Sequence, residues 1–153
     1  MKAYSVKYRF SQHFNVPARQ AYDWFTDYQP NDLALMKVRG QRKISKINSD
    51  TVLLNETTYR NGKPIKKNKL VRLNEVGLSW SNTHVSGPNR YSQFLYEIVP
   101  VGKKASRLDF TGLLLYYSNT KPSGNKIKQL AEEERQHDSE VWRHLAKAII
   151  REI

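Results

Sequence analysis

The order of its hydrophobic patterns constrains this chain more than any single motif. One strand-like run comes first, then a short helical stretch, then six further strand-like runs with no helix among them, and finally one long amphipathic helix. A sheet of about seven strands has a face too wide for one helix to cover flatly, so it must curl around that helix. Curling leaves an interior cavity, and the function to expect is the binding of something small and largely apolar.

The strands follow from period-two alternation. Over residues 4–16, Tyr4, Val6, Tyr8, Phe10, Phe14 and Val16 share one face with Gln12 as its one polar member, while Ser5, Lys7, Arg9, Ser11, His13 and Asn15 share the other. Pro17 suits the first position of a helix, and Ala21, Tyr22, Trp24, Phe25 and Tyr28 follow at helical spacing until Pro30 ends it. Asn31 and Asp32 can cap a second short helix reaching Met36. Strand patterns then occupy residues 38–47, 51–60, 64–74, 78–86, 90–99 and 106–117, punctuated by Asn48-Ser49-Asp50, Asn61-Gly62, Val76-Gly77, Gly87-Pro88-Asn89 and Gly102-Lys103. Asn61-Gly62 is the strongest hairpin signal. Connections this short impose an antiparallel meander and leave parallel pairing open only across the early helices.

In the last helix, Ile127, Leu130, Ala131, Val141, Trp142, Leu145, Ala148 and Ile149 form one stripe that lasts to the C-terminus. Glu134 and Asp138 interrupt it, falling within the apolar stripe rather than beside it.

A chain of 153 residues has room for one domain with a real core, so residues 1–153 are expected to be a single ligand-binding domain. Zero cysteines exclude disulfides and thiolate zinc sites, and the four histidines lack ligand spacing, so neither metal nor cofactor is expected. The N-terminus lacks a signal-peptide core and no run approaches the roughly 20 apolar residues of a membrane span, which points to a soluble, cytoplasmic protein. The formal net charge is +12. Within residues 37–72 stand Lys37, Arg39, Arg42, Lys43, Lys46, Arg60, Lys63, Lys66, Lys67, Lys69 and Arg72, eleven basic residues against Asp50 and Glu56, a net +9. That segment is either a solubilising surface on edge strands or a field that attracts an anionic lipid or nucleic acid.

The order of elements resembles the helix-grip fold of the START, pollen-allergen and polyketide-cyclase superfamily (SRPBCC). The most specific segment runs from Phe14 through Asn-Val-Pro-Ala-Arg-Gln-Ala-Tyr-Asp-Trp-Phe-Thr to Asp27, where a strand ends at a proline, a helix presents an apolar-aromatic pair and an aspartate closes it. Trp142 followed by Leu145 is similar to the family's closing pattern. Val16 departs from it at the expected helix cap, where Ser, Thr or Asp would accept a backbone N–H. The resemblance implies an α+β fold, a curved seven-stranded antiparallel sheet wrapped around a long C-terminal helix with two short helices after the first strand. It also implies a cavity for a lipid, sterol, polyketide or quinone-like molecule, or a cyclase or hydrolase reaction within it.

Candidate site residues follow from which side chains share the concave face. Leu78, Trp80, Asn82 and His84 point one way, combining a flat apolar wall with polar anchors. Phe94, Tyr96 and Ile98 form the apolar face of the next strand, and Leu108 and Phe110 continue it. Arg42 falls in register with Val38 and Ile44, which aims a guanidinium inward, and Tyr59 aligns with Leu53 and Asn55. A buried arginine needs a carboxylate or the mouth of the cavity. Glu134 and Asp138 are the candidate partners; buried and unpaired they cost several kcal/mol, so they should meet Arg42, Lys67 or Lys69, face a hydrated cavity, or titrate upward. Val141 completes the apolar wall.

Three functions remain open. The first is a carrier or sensor using Arg42, Tyr59, Trp80, Asn82, His84, Phe94, Tyr96, Phe110, Glu134, Asp138 and Val141. The second is a cyclase, aromatase or hydrolase-like enzyme with His84 or Asp138 as base, since acid-base chemistry needs no nucleophile elbow or phosphate loop, and the chain has neither. The third is a module that binds an anionic partner through the Lys37 to Arg72 face. Monomer and homodimer are both compatible with the sequence, Ile150 lying off the main stripe.

Overall fold

The computed structural model describes residues 1–152. Seven strands, β1 (Lys2–Phe14), β2 (Gly40–Asn48), β3 (Thr51–Arg60), β4 (Lys63–Asn74), β5 (Ser79–His84), β6 (Gln93–Pro100) and β7 (Ser106–Ser118), form one sheet in the order β1-β7-β6-β5-β4-β3-β2. Every neighbouring pair is antiparallel. The parallel pairing left open by the sequence does not occur, because α1 (Ala18–Phe25) and α2 (Asp32–Leu35) carry the chain from one edge strand, β1, to the other, β2.

Local chemistry explains the element ends. Asn61 and Gly62 both have positive φ (53° and 75°), the geometry of a tight hairpin with a two-residue turn. Three strands start later than alternation suggests. Lys37 (φ 57°), Leu78 (φ 49°) and Tyr91 (φ 70°) are in the left-handed region, so the chain turns just before β2, β5 and β6. Pro17 takes the cap position of α1 and Ala18 the first helical one, with no side-chain cap, consistent with Val16 offering no acceptor. Asn31 makes no side-chain cap for α2; instead the backbone N–H of Gln29 donates to Asp32 Oδ2 at 2.9 Å.

The final helix, α3 (Gly124–Glu152), begins three residues before its first apolar position because the backbone N–H of Lys126 donates to Ser123 Oγ at 3.2 Å. Position 153, the end of the expected stripe, lies outside the described residues. The two halves of α3 pack differently. Its second half buries Trp142, Leu145, Ala148 and Ile149. There Phe14, Phe25 and Trp142 meet ring to ring, with Phe14–Phe25 and Phe25–Trp142 centroids each 4.8 Å apart. Ile127, Leu130 and Ala131 in the first half are only partly buried, as is Val141 just past the midpoint. The helix is thus most deeply buried toward its C-terminal end, and Glu134, His137, Asp138 and Val141 near its middle line a cavity between helix and sheet. No helix among the described residues is long and apolar enough to cross a membrane.

Candidate functional site

The inner face of each strand is one alternation set, and pairing register stacks these sets into a wall. Trp80 sits opposite Tyr96, Asn82 opposite Phe94, and Tyr96 in turn opposite Phe110. Trp80 and Tyr96 lie flat on one another, centroids 4.8 Å apart with 2° between planes, and Phe110 meets the edge of Tyr96 at 5.2 Å. Offset aromatic pairs of this kind hold a rigid, planar, apolar surface. Gly112, paired with both Tyr8 and Phe94, lets the wall close: a Cβ there would sit 2.7 Å from Cε1 of Tyr8, so only glycine lets that ring lie across β7.

The wall encloses a cavity of about 270 Å³, also bounded by Val141 and Trp142 of α3 and by Tyr28, Leu33 and Met36 around α2. Arg42, Trp80, Asn82, His84, Phe94, Tyr96, Phe110, Glu134, Asp138 and Val141 all line it. Tyr59 does not. On β3 the inward set is Val52, Leu54, Glu56 and Thr58, and Tyr59 turns outward, 42% exposed, with the Arg39 guanidinium 4.7 Å above its ring.

The partner expected for Arg42 also differs. Glu56, which is 4% exposed, stands directly across the β2–β3 pair from it. Arg42 donates to Glu56 Oε2 at 2.6 Å, and Lys69 Nζ lies 2.5 Å from Oε1. Asp32 is a second, looser partner of Arg42 at 3.7 Å. Burial pushes the Glu56 carboxyl up, but Lys69 and Arg42 more than offset this and hold it at about 2. The carboxylate is therefore ionised at any physiological pH, forming an ion triad on the cavity wall.

The two carboxylates of α3 have other partners. Tyr8 donates its hydroxyl to Asp138 Oδ2 at 2.5 Å, and burial raises the Asp138 pKa, opposed by that hydrogen bond. Burial and the Asp138 charge likewise push the Tyr8 hydroxyl up. Glu134 pairs with Arg60 at 3.4 Å and accepts from the Tyr116 hydroxyl at 3.3 Å. Neither carboxylate meets Arg42, Lys67 or Lys69 in an ion pair, because Glu56 already occupies Arg42 and Lys69.

His84 is 4% exposed, and burial followed by repulsion from Lys69 and Lys67 depresses its pKa to about 3. It is a neutral imidazole near pH 7 and a weak base. Its Nδ1 and the Oδ1 of Asn82, a residue 8% exposed, have no hydrogen-bond partner in the protein. Buried polar atoms are normally paired, so two unpaired ones on a cavity wall mark where a ligand's polar atoms fit.

The basic segment splits. Arg42, Arg60, Lys67 and Lys69 line the cavity, while Lys37, Arg39, Lys43, Lys46, Lys63, Lys66 and Arg72 are exposed outside it. Among the described residues no cluster of three potential metal ligands exists.

No protein-family description matches the sequence, and no curated protein matches it. Solved structures do share its shape. The Zhui aromatase/cyclase from Streptomyces sp. R1128 superimposes with a TM-score of 0.81 at 8% identity, covering 97% of this chain and 95% of that one. The architecture is the helix-grip fold. Norcoclaurine synthase from Thalictrum flavum gives 0.73 at 11% identity over 99% of this chain and 90% of its own. A START superfamily protein from Mycobacterium smegmatis gives 0.72 at 12% over 94% and 99%. Identities this low carry architecture and leave the chemistry to the site.

Sequence reasoning missed Tyr8, Tyr28, Glu56 and Asn89 as lining residues. Glu56 left a signal, since it shares the period-two face of Val52 and Leu54. Asn89 left none, because the turn that aims it is set by its own hydrogen bond to the Leu115 carbonyl.

Proposed function

We propose that this protein binds a small, flat, largely apolar ligand between the curved sheet and α3, as a carrier or sensor. The observation that carries this reading is the pair of unpaired buried atoms, Asn82 Oδ1 and His84 Nδ1, beside the planar Trp80–Tyr96 stack. A wall with a few fixed polar atoms is how small-molecule pockets obtain orientation as well as affinity. The cavity, about 270 Å³, favours a molecule of two or three rings over a sterol or long-chain lipid. A fold neighbour, norcoclaurine synthase, was solved in complex with dopamine and hydroxybenzaldehyde, both small aromatic molecules, which is consistent with that size. The test is native mass spectrometry of freshly purified protein, with titration of naphthyl, quinone and short polyketide compounds followed by tryptophan fluorescence. Saturable one-to-one quenching supports the reading; fluorescence unmoved by every compound refutes it.

A second reading, an acid-base enzyme on the same ligand, is favoured by the Tyr8–Asp138 pair. Burial raises the proton affinity of Asp138 above that of an ordinary aspartate, and the Tyr8 hydroxyl fixes its carboxylate in the cavity, as a general base requires. His84, held near 3, suits hydrogen bonding better than proton abstraction. This reading requires Asp138→Asn to abolish turnover while leaving ligand binding measurable; equal loss of both points back to binding alone.

A further inference from the structure

Resting on the binding role proposed above, we infer that the ligand is an aromatic acid, its carboxylate held by the Lys67 ammonium and a hydroxyl at its far end donating to Asn82 Oδ1. The first support is the charge inventory of the cavity. Its carboxylates are Asp32, Glu56, Glu134 and Asp138, and its basic side chains are Arg42, Arg60, Lys67 and Lys69 with the imidazoles of His84 and His137. All four carboxylates have partners: Asp32 and Glu56 meet Arg42, Glu56 also meets Lys69, Glu134 meets Arg60, and Asp138 accepts from Tyr8. Arg42, Lys69 and Arg60 are thereby paired as well. Among the described residues, Lys67 is the one lysine or arginine of the cavity without an ion pair or a side-chain hydrogen bond.

The surroundings of Lys67 make an anion the group that completes it. Its stem is covered by the turn between β5 and β6, where a Cβ on Gly87 would lie 3.0 Å from Lys67 Cγ. The like charge of Lys69 is its largest electrostatic influence, and the Glu134 and Glu56 carboxylates act more weakly, although Glu56 stands directly opposite it in the β3–β4 register with its charge already shared by Arg42 and Lys69. A partly buried cation without an ion-pair partner of its own is unfavourable, and a ligand carboxylate relieves it. Glu134 and Glu56 nearby weigh against a doubly charged phosphate, so a singly charged carboxylate fits this position best.

The other end of the ligand is set by the unpaired acceptor. Asn82 Oδ1 can only accept, so its partner must carry an O–H or N–H. In the β4–β5 register Asn82 stands opposite Val71, four residues along β4 from Lys67, a separation of about 13 Å along the strand. The Lys67 side chain can span part of that distance, and two fused rings with substituents at opposite ends fill the rest. The Trp80–Tyr96 stack beside Asn82 supplies the flat surface for those rings.

The test compares 6-hydroxy-2-naphthoic acid with its methyl ester and with 2-naphthoic acid, by calorimetric titration at neutral pH. The wild-type protein should bind the hydroxy acid about tenfold to a hundredfold more tightly than the ester, the range of a charge-assisted hydrogen bond. Lys67→Met should erase that preference and Lys67→Arg should keep it. 2-Naphthoic acid, lacking the hydroxyl, should bind several-fold more weakly than the hydroxy acid. Equal affinity for acid and ester on wild-type protein overturns the acid assignment and leaves the cavity reading standing, and a preference that survives Lys67→Met overturns the role of Lys67. Failure of every naphthyl compound to bind overturns both readings.

Discussion

Replacing Glu56 by Gln isolates the charged triad on the cavity wall. The change keeps the side chain's shape but removes the negative charge that Arg42 and Lys69 share at 2.6 and 2.5 Å, leaving Arg42 only Asp32 at 3.7 Å. Glu56 is 4% exposed, so water cannot take its place, and breaking a buried pair by removing one partner costs about 3–5 kcal/mol. For a chain of this size each kcal/mol lowers the melting temperature by about 2–4 °C, which gives a drop of roughly 10–15 °C. Thermal unfolding followed by circular dichroism at neutral pH measures it. The companion variant Arg42→Met/Glu56→Leu/Lys69→Met should recover much of the loss, because a well-packed apolar substitute avoids the cost of desolvating three charges. A Glu56→Gln protein melting within a few degrees of wild type would show that the triad is solvated, and the reasoning about a buried ionic wall would fail.

His84 makes the fold sensitive to acid. Its pKa is near 3 in the folded protein against about 6.5 when unfolded, so its contribution is complete above pH 6.5 and is lost as pH falls toward 3. At pH 5 that loss amounts to about 2 kcal/mol. Asp27, which burial and Asp32 raise to about 6, works in the opposite sense, so the informative quantity is the difference between His84→Gln and wild type. Urea titrations at pH 7 and pH 5 should show the variant losing about 2 kcal/mol less than wild type, and parallel losses would contradict the burial of His84. Gly112→Ala places a methyl group 2.7 Å from the Tyr8 ring and should push Tyr8 off Asp138. It should cost about 1–3 kcal/mol of stability and weaken ligand binding, read by urea titration and fluorescence, whereas an unchanged ligand affinity would show that the Tyr8 ring is not part of the wall.

The fold was readable because its strands alternate cleanly where one face is buried. Val6 and Tyr8, Trp80 and Asn82, Phe94 and Tyr96 each declare the inner face by residue type, and the one terminal helix leaves no other element to cover them. β3 breaks that legibility. Its inner face carries Glu56, Thr58 and Arg60 beside Val52 and Leu54, while Leu53 and Tyr59 sit outside, so residue type favours the wrong face near the end of the strand. The partner of Arg42 is a matter of register. Glu56 meets it across a hairpin with an irregularity between Lys46 and Asn48, and one residue of slip would have turned the carboxylate away. The split of the basic segment has the same origin, since alternation along β4 sends Lys67 and Lys69 inward and Lys66 outward.

Ligand binding of the kind proposed requires the cavity to be open to a planar molecule beside Trp80. Titrating isotope-labelled protein with 2-naphthol, and following the indole N–H signals of Trp80 and Trp142 with the side-chain amide of Asn82, tests it without presupposing an acidic ligand. Saturable shifts concentrated on those three groups are the expected result. Shifts confined to the outer face around Arg39 and Tyr59, or none at all, would contradict it.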